Sequence, residues 1–418
     1  MTFKKKVFLA IGPFLTALLI IVLLFFSPIN IIQQPSEKEI HQAASSMSAN
    51  MLRGVDMKRQ AAESGEYLPF FGSSELSRVN PFHPSVLAEK YDREYEPYLL
   101  GAPGTQSLTH FFMLNSLGSS MEGRKIVFII SPQWFVKKGV SEAMFSHFYS
   151  PTATYDWLVH LNGNDETSRY VANRLLEFDN VQSDGQMRRL LKKVSQGDNL
   201  TSFEKERAKL KLRSLERVDL LFGKTGFQSK SEKITKQTKK LPSTYNFSEL
   251  DALAITTGEE KTNNNEFRIS NNFYTKRLAP SKERLKGSQK KFDYTVSPEF
   301  SDFQSFLELL AKYNIDAMFM IPPVNELWSD YTGLSTKMLD EFSRKVTYQL
   351  ESQGFTNIVD FTEKRSEPYF MEDTIHIGWR GWLEMDTKLQ EFLTSNKKPE
   401  YHINPELFYS EAWQKKKY

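Results

Sequence analysis

Three residues whose types together perform acyl transfer occur at two distant places in this chain. Ser74 follows an apolar stretch and a glycine, whereas Asp373 and His376 lie three positions apart near the other end. A serine hydroxyl becomes a nucleophile when a histidine takes its proton, and an aspartate on the other ring nitrogen orients that histidine. The order serine, aspartate, histidine therefore predicts nucleophilic catalysis, provided that the fold brings the two places together.

Each of the three residues also has an ordinary structural explanation. A serine after a glycine at a strand end is usually a turn or cap residue, and Ser73 is a rival nucleophile whose more ordinary role is a cap or hydrogen bond. Asp373 could cap the helix that follows it, and His376 could be a structural histidine. The Gly-x-Ser-x-Gly motif of α/β-hydrolases is absent, because no glycine stands two positions after Ser74.

The composition excludes several kinds of site. The chain has 418 residues, a formal net charge of +3 and no cysteine, which rules out disulfides, thiolate metal sites and cysteine nucleophiles. No two of the seven histidines have a metal-ligand spacing, so neither a metal nor another cofactor is expected.

The small net charge hides a strongly basic stretch. Residues 186–240 carry 16 Lys and Arg against 6 Asp and Glu, a net of +10, which leaves 3 − 10 = −7 for the remainder. We expect a solvated helical face or a patch that meets polyphosphate or anionic lipid headgroups. Nucleic-acid binding is not expected, because the stretch lacks the aromatic spacing of a stacking platform.

The amino terminus is predicted to be a membrane anchor. Three lysines at 4–6 precede an uncharged run from 7 to 26, and about 20 helical residues match a hydrocarbon core of about 30 Å. A cleaved signal peptide is the alternative, but its apolar part is only about 7–15 residues and is followed by a small-residue cleavage site. With the lysines inside, we expect a single-pass protein of the cell membrane, with a cytoplasmic N-terminus and an extracytoplasmic body.

The body is predicted to be an α/β domain. Short apolar runs at 67–71, 96–100, 125–130, 316–321 and 357–361 end in loops or turns, and helical periodicity separates most of them. Strands that alternate with helices indicate a mainly parallel sheet covered on both faces. Open α/β folds carry their chemistry at the carboxyl edge of such a sheet.

Composition divides the chain further. Strand signals vanish between 141 and 297, which predicts a mainly helical insertion within the domain. The predicted regions are a cytoplasmic N-terminus (1–6), a transmembrane anchor (7–26), a stalk or packing helix (27–65), the α/β domain (66–400) and a C-terminal tail (401–418).

The order of these motifs resembles the SGNH (GDSL-like) family of hydrolases and transferases, and within it the anchored branch that acts in D-alanylation of teichoic acids in Gram-positive bacteria. The resemblance covers nearly the whole chain and rests on the segments Phe71–Leu76, Pro322–Asn325 and Asp373–His376. It implies a three-layer α/β/α fold in which Ser74 is the nucleophile, His376 the base and Asp373 its orienting acid.

The resemblance also assigns supporting residues. It implies an oxyanion hole formed by the amides of Ser74 and Gly104. Gln133 stands near the position of the family's third-block asparagine, which has no clean counterpart here, and Ser73 stands where the wider family has aspartate. Gln133 and Asn325 are explained at least as well as loop-stabilising amides. The candidate substrate-binding residues are Ser73, Asn325 and Trp134.

The resemblance implies that the chain transfers D-alanine, as an ester, to hydroxyls of glycerol- or ribitol-phosphate teichoic acid through an acyl-enzyme. Two other functions stay open: a thioesterase or esterase that hydrolyses mischarged or misplaced D-alanyl groups, and a non-catalytic scaffold of the D-alanylation complex. The implied partners are the multipass membrane O-acyltransferase of the pathway, its small membrane helper, the D-alanyl carrier protein and the teichoic acid polymer.

Overall fold

A central sheet of parallel strands organises the computed structural model, which describes residues 3–26, 34–223, 226 and 228–417. The predictions for residues 1–2, 27–33, 224–225, 227 and 418 lie outside the described residues. The strands are β1 (Tyr67–Phe71), β2 (Glu96–Leu100), β3 (Lys125–Ile129), β4 (Asp316–Ile321) and β5 (Ile358–Asp360). The predicted parallel α/β sheet is confirmed, with every strand within one residue of its predicted bounds.

The order of the strands in the sheet is β2-β1-β3-β4-β5, and each neighbouring pair is parallel. The chain leaves β1 to form β2 on one side and then crosses to form β3 on the other. A crevice opens outside the carboxyl ends of the strands at such a switch point. The loop that follows β1, which contains Ser74, lies at this point.

Alternate residues of the central strands pack into two separate cores, one on each face of the sheet. Phe71 and Phe128 point into the larger core, whereas Phe70 and Val127 point into the smaller one. Both faces of a parallel sheet must be covered when its strands are apolar on both sides. The fold is therefore a sheet between two layers of helices.

Four helices precede the sheet, and several short helices connect its first three strands. The preceding helices are α1 (Phe3–Phe26), α2 (Glu37–Ala44), α3 (Ala49–Arg53) and α4 (Asp56–Ser64). The connecting helices are α5 (Pro84–Lys90) and α6 (Ser107–Leu117), with 3-10 turns at Ser74–Ser77, Gly118–Met121 and Pro132–Trp134. Apolar residues of α2 to α4 are buried in the larger core, so this part of the predicted stalk packs on the body.

The described residues between 141 and 297 form helices and loops without a strand. Its helices are α7 (Glu142–Phe148), α8 (Pro151–Val159), α9 (Glu166–Leu175), α10 (Asp179–Ser183), α11 (Gly185–Ser195), α12 (Ser202–Phe222), α13 (Ser231–Thr238), α14 (Phe247–Lys261), α15 (Asn271–Phe273) and α16 (Lys282–Leu285). A π-helix at Tyr274–Leu278 and a 3-10 turn at Ala279–Ser281 join the last two.

The remaining helices complete the two layers. They are α17 (Glu299–Lys312), α18 (Glu326–Thr332), α19 (Thr336–Glu351), α20 (Trp379–Thr394), α21 (Pro405–Phe408) and α22 (Glu411–Lys415), with a 3-10 turn at Thr362–Ser366. The buried Lys345 of α19 fixes the C-terminal tail by donating hydrogen bonds to the carbonyls of Trp413 and Lys416 at 2.7 and 2.8 Å. The tail therefore packs on the body, with Trp413 only 1% exposed.

The predicted membrane anchor is not supported. A membrane-spanning helix needs about 20 strongly apolar residues in succession, and no helix within the part of the chain that the structure describes meets the length and apolarity required. The expected single-pass location is therefore wrong, and the transmembrane helix expected at 7–26 is not confirmed.

Candidate active site

The turn after β1 brings the serine hydroxyl to the edge of the sheet. The chain can make this turn because Gly72 and Gly101 lie against each other without side chains. A Cβ on Gly101 would stand 2.0 Å from the carbonyl oxygen of Gly72, a distance that no side chain tolerates. The backbone of β1 therefore approaches that of β2 closely at its end, and Ser74 begins a 3-10 turn that leaves its side chain half-buried.

A continuous chain of hydrogen bonds joins Ser74, His376 and Asp373. Oγ of Ser74 lies 2.6 Å from Nε2 of His376, and Nδ1 of the same ring lies 2.8 Å from both carboxylate oxygens of Asp373. A carboxylate on Nδ1 selects the tautomer in which Nδ1–H donates to Asp373 and Nε2 accepts from the serine hydroxyl. This arrangement prepares Nε2 to remove the serine proton.

A tight turn presents Asp373 and His376 from the same short segment. Oδ1 of Asp373 also accepts hydrogen bonds from the backbone amides of Ile375 and His376, at 3.1 and 3.0 Å. The following helix, α20, has Gly378 at its N-cap, so Asp373 does not cap it. The aspartate instead closes its own turn, which is a recognised behaviour of this side chain, and so fixes the position of the histidine.

Arg78 places a positive charge beside this pair. Its Nη2 lies 2.7 Å from Oδ2 of Asp373 and 3.3 Å from Nδ1 of His376, and its Nη1 lies 3.7 Å from Glu372. Burial alone would raise the pKa of the Asp373 carboxyl, but the charges and hydrogen bonds of His376 and Arg78 hold that pKa below its usual value. Asp373 therefore stays ionised although it is fully buried.

Glu372 is the second carboxyl of the cluster and behaves in the opposite way. Burial and the neighbouring Asp373 raise its pKa, and this effect exceeds the opposing one of Arg78 and of the hydrogen bond from Asn80. Two adjacent buried carboxyls repel each other when both are charged. His376 and Arg78 thus favour the charged form of Asp373, whereas burial and the neighbouring Asp373 favour the neutral form of Glu372.

Ser73 and Gly104 bond to each other. The amide of Gly104 donates to Oγ of Ser73 at 3.2 Å, and that hydroxyl donates to the carbonyl of Ala102 at 3.0 Å. The buried side chain of Ser73 thus joins the loops after β1 and β2 by hydrogen bonds. Because its hydroxyl is engaged in both bonds, it is unsuited to nucleophilic attack. The amide of Ser74, at the first position of a 3-10 turn, has no partner within that turn.

The other predicted residues take different places. Gln133 lies half-buried at the carboxyl end of β3, and its side chain makes no hydrogen bond to any described residue. Trp134 is only 3% exposed and packs against His110, so it belongs to the core rather than to a substrate surface. Asn325 caps α18 and donates to the carbonyl of Phe267 at 3.2 Å, which makes it a loop-stabilising amide.

Three residues of the site were not singled out from the sequence. Arg78 stands one helical turn after Ser74, and Glu372 directly precedes Asp373; only this proximity could have suggested them. Glu75 is 2% exposed, and its carboxylate accepts a hydrogen bond from the amide of Ser73, with a pKa that burial raises. Their roles depend on contacts between distant parts of the chain, which a sequence pattern does not show.

His110 supports the site from beneath. Its Nε2 lies 2.8 Å from the carbonyl oxygen of Gly72, to which the ring donates. Burial lowers the pKa of this imidazole to about 3, although the bond to Gly72 opposes the shift. The ring is therefore neutral and serves to hold the end of β1. No group of three or more histidine, aspartate and glutamate side chains among the described residues could hold a metal.

Known proteins are similar to this chain over most of its length. Residues 44–394 match the family model described as DltD protein. Curated proteins named Protein DltD are similar to this chain: that of Lacticaseibacillus rhamnosus is 43% identical over 98% of this chain and 97% of its own length. That of Bacillus subtilis (strain 168) is 35% identical over 87% of this chain and 91% of its own length. That of Staphylococcus aureus (strain NCTC 8325 / PS 47) is 28% identical over 87% and 90%. The chain belongs to the DltD family.

Proposed function

We propose that this chain is a serine acyltransferase of the SGNH type that esterifies teichoic acid with D-alanine. The observation that carries the proposal is the hydrogen-bonded series Ser74, His376 and Asp373, with 2.6 and 2.8 Å between successive polar atoms. It lies at the carboxyl edge of a parallel sheet, at the switch point of the strand order. The resemblance in sequence motifs and the membership of the DltD family support D-alanylation as the process.

The first half of the reaction transfers the D-alanyl group to the enzyme. Nε2 of His376 takes the proton of Ser74 as Oγ attacks the carbonyl carbon of an activated D-alanyl ester or thioester. Asp373 stabilises the imidazolium that forms. The tetrahedral intermediate collapses as His376 returns the proton to the leaving alcohol or thiol, which leaves D-alanine as an ester on Ser74.

The second half repeats these steps with a different nucleophile. His376 takes the proton of a hydroxyl of the polyol-phosphate acceptor, whose oxygen attacks the ester carbonyl, and the proton then returns to Oγ of Ser74. The backbone amide of Ser74 faces the developing oxyanion, with Gln133 as a second candidate donor at the adjacent strand end. One such donor is worth about 10²–10³ in rate.

The test measures the product directly. The purified chain is incubated with a D-alanyl thioester of a small thiol and a glycerol-phosphate oligomer, and D-alanyl esters on the oligomer are counted by mass spectrometry. We expect transfer by the wild type and a loss of about 10⁴–10⁶-fold in Ser74→Ala and His376→Ala, as for other triads. His160→Ala is the matched control, because His160 on α8 also lies beside an aspartate, at 3.3 Å, but its side chain is 71% exposed.

Two results would replace the proposal. Free D-alanine in place of the polymer ester, lost in the same variants, would assign the site to a thioesterase or esterase. The second result is D-alanine transfer that stays at the wild-type level in a reconstituted pathway containing Ser74→Ala or His376→Ala. It would show that the chain acts as a non-catalytic scaffold.

A further inference from the structure

The catalytic cluster cannot attract a phosphate by its own charge. Among the described residues of the cluster, Arg78 is the one permanent cation, and its charge is shared between the buried Asp373 and the half-buried Glu372. A polyol-phosphate acceptor, however, carries a negative charge on every repeat unit. A site that holds such a polymer beside Ser74 therefore needs cations from a neighbouring element.

The segment 266–291 supplies many cations. It carries eight Lys and Arg against two Glu, a net charge of +6. One glutamate, Glu266, is ion-paired with Lys282. The other seven cations are exposed: Arg268, Lys276, Arg277, Arg284, Lys286, Lys290 and Lys291. The segment lies outside the basic stretch 186–240 that the sequence analysis singled out.

Three contacts attach this segment to the catalytic turn. The amide of Ser270 donates to the carbonyl of Glu372 at 2.8 Å, and the ring of Phe273 lies 5.4 Å from the guanidinium carbon of Arg78. The carbonyl of Phe267 accepts a hydrogen bond from the side-chain amide of Asn325. The backbone amide of Asn325 in turn donates to the carbonyl of Thr374 at 3.0 Å. The first half of the segment thus borders the residues that hold His376.

In the first half of segment 266–291, the apolar residues point inward and the cations point outward. Phe267, Ile269 and Leu278 are 2%, 0% and 8% exposed, whereas Arg268, Lys276 and Arg277 are exposed and form no ion pair with any described residue.

The backbone geometry at this place is unusual in two respects. Arg268 has φ of +50°, a conformation that few residues other than glycine adopt. Asn265 holds it there by bonding both the carbonyl and the amide of Ile269, at 2.7 and 3.2 Å. Lys276 and Arg277 lie in a π-helix, a rare element that is frequent at functional sites.

We propose that segment 266–291 is the acceptor subsite, where Arg268, Lys276 and Arg277 bind the phosphates of the polyol-phosphate chain and place its hydroxyl near Ser74. This inference rests on the proposed function for the identity of the acceptor. The location of the subsite is inferred from the contacts of the segment with Glu372, Arg78 and Asn325. Exposed cations attract a polyanion in a way that salt screens, so the subsite makes transfer dependent on ionic strength.

The test compares two variants that lose the same charge. R268N/K276Q/R277Q removes three cations beside the site, with asparagine chosen at 268 because it tolerates positive φ. R188Q/R189Q/K192Q removes three exposed cations from α11, in the basic stretch 186–240. Labelling of Ser74 by a fluorophosphonate, which needs no acceptor, shows that the site is intact in both variants.

We expect the first variant to raise KM for a glycerol-phosphate oligomer at least tenfold at low salt, with a weaker dependence on ionic strength. Transfer to uncharged glycerol should stay unchanged, and the control variant should stay within twofold of the wild type throughout. Equal KM values for the oligomer in the two variants would overturn the proposal.

Direct binding separates this proposal from the proposed function. Fluorescence anisotropy of a labelled glycerol-phosphate oligomer needs no reaction, so weaker binding in the first variant alone would support the subsite even if the wild type transferred nothing. If the first variant instead lost binding to phosphatidylglycerol vesicles while it bound the oligomer normally, the segment would belong to a lipid surface and the acceptor subsite would be wrong.

Discussion

At the scale of single residues, the site depends on how charge is divided among four buried or half-buried groups. Arg78 contacts Asp373, Glu372 and His376, and Asp373 also contacts His376. Glu75 is a further buried carboxyl nearby. A serine triad needs an ionised aspartate, because only that form stabilises the imidazolium. We infer that Arg78 is a positioning residue that keeps the negative charge on Asp373 despite its burial.

The pH profile of a small-ester hydrolysis tests this inference. Arg78→Met removes the cation that lowers the pKa of Asp373 and opposes the rise in that of Glu372, so both carboxyls should hold their protons to higher pH. The acidic limb of kcat/KM should therefore move to higher pH, with a rate loss of about tenfold or more for an ion pair of about 1.5–3 kcal/mol.

A second substitution distinguishes charge from packing. Glu372→Gln in the Arg78→Met background removes the repulsion that Arg78 offset, so the acidic limb should return towards that of the wild type. An acidic limb in Arg78→Met that overlays the wild-type one, or one that Glu372→Gln does not move back, would show that Arg78 acts only by packing.

At the scale of elements, two strand ends that touch through glycines set the position of the nucleophile. Gly72 ends β1 and Gly101 ends β2, and Thr105 bonds across to the carbonyl of Gly72 at 2.8 Å. The sequence indicated that the runs 67–71 and 96–100 end in loops or turns, where these two glycines lie. It did not reveal that they face each other, because this contact follows from the pairing of β1 with β2 along their whole length.

Gly101→Ala should therefore disturb both stability and the site. The added Cβ would stand 2.0 Å from the carbonyl oxygen of Gly72 and 3.1 Å from the amide nitrogen of Ser73, and such overpacking costs about 1–3 kcal/mol. Urea unfolding should show a loss of this order, and fluorophosphonate labelling of Ser74 should slow. Gly185→Ala, whose Cβ would meet no heavy atom within 4 Å, is the control. Equal unfolding midpoints for the two variants would contradict this explanation of the turn.

The sequence was informative about elements for a physical reason. Buried parallel strands are short continuous apolar runs, and their period and bounding turn residues are local properties. The run 316–321 could thus be recognised in isolation, and it is β4. The helix expected between 35 and 65 is instead three short helices, since Gly54 and the turn around Ser46 interrupt it.

At the scale of the whole molecule, the fold brings together residues that are far apart in sequence. Ser74 and His376 are 302 positions apart and lie in hydrogen-bond contact, because the ends of parallel strands meet at one edge. Motif order was enough to predict this meeting. Motif order did not draw attention to segment 266–291, the basic segment that contacts Glu372 and Arg78; composition pointed to 186–240 instead.

The membrane location is a prediction from a sequence pattern that the structure does not support. An apolar run of suitable length predicted an anchor at 7–26, but no described helix has the properties required to cross a membrane. The geometry of the candidate site does not depend on that prediction, because every group of the site lies between 72 and 376.

The most direct test of the central claim is peptide mapping of the chain after reaction with a fluorophosphonate. Because Nε2 of His376 lies 2.6 Å from Oγ of Ser74, Ser74 should be the labelled residue, and His376→Ala should abolish the labelling. Modification of Ser73 in place of Ser74, or equal labelling of Ser74 in His376→Ala, would contradict the claim that these two groups form the reactive pair.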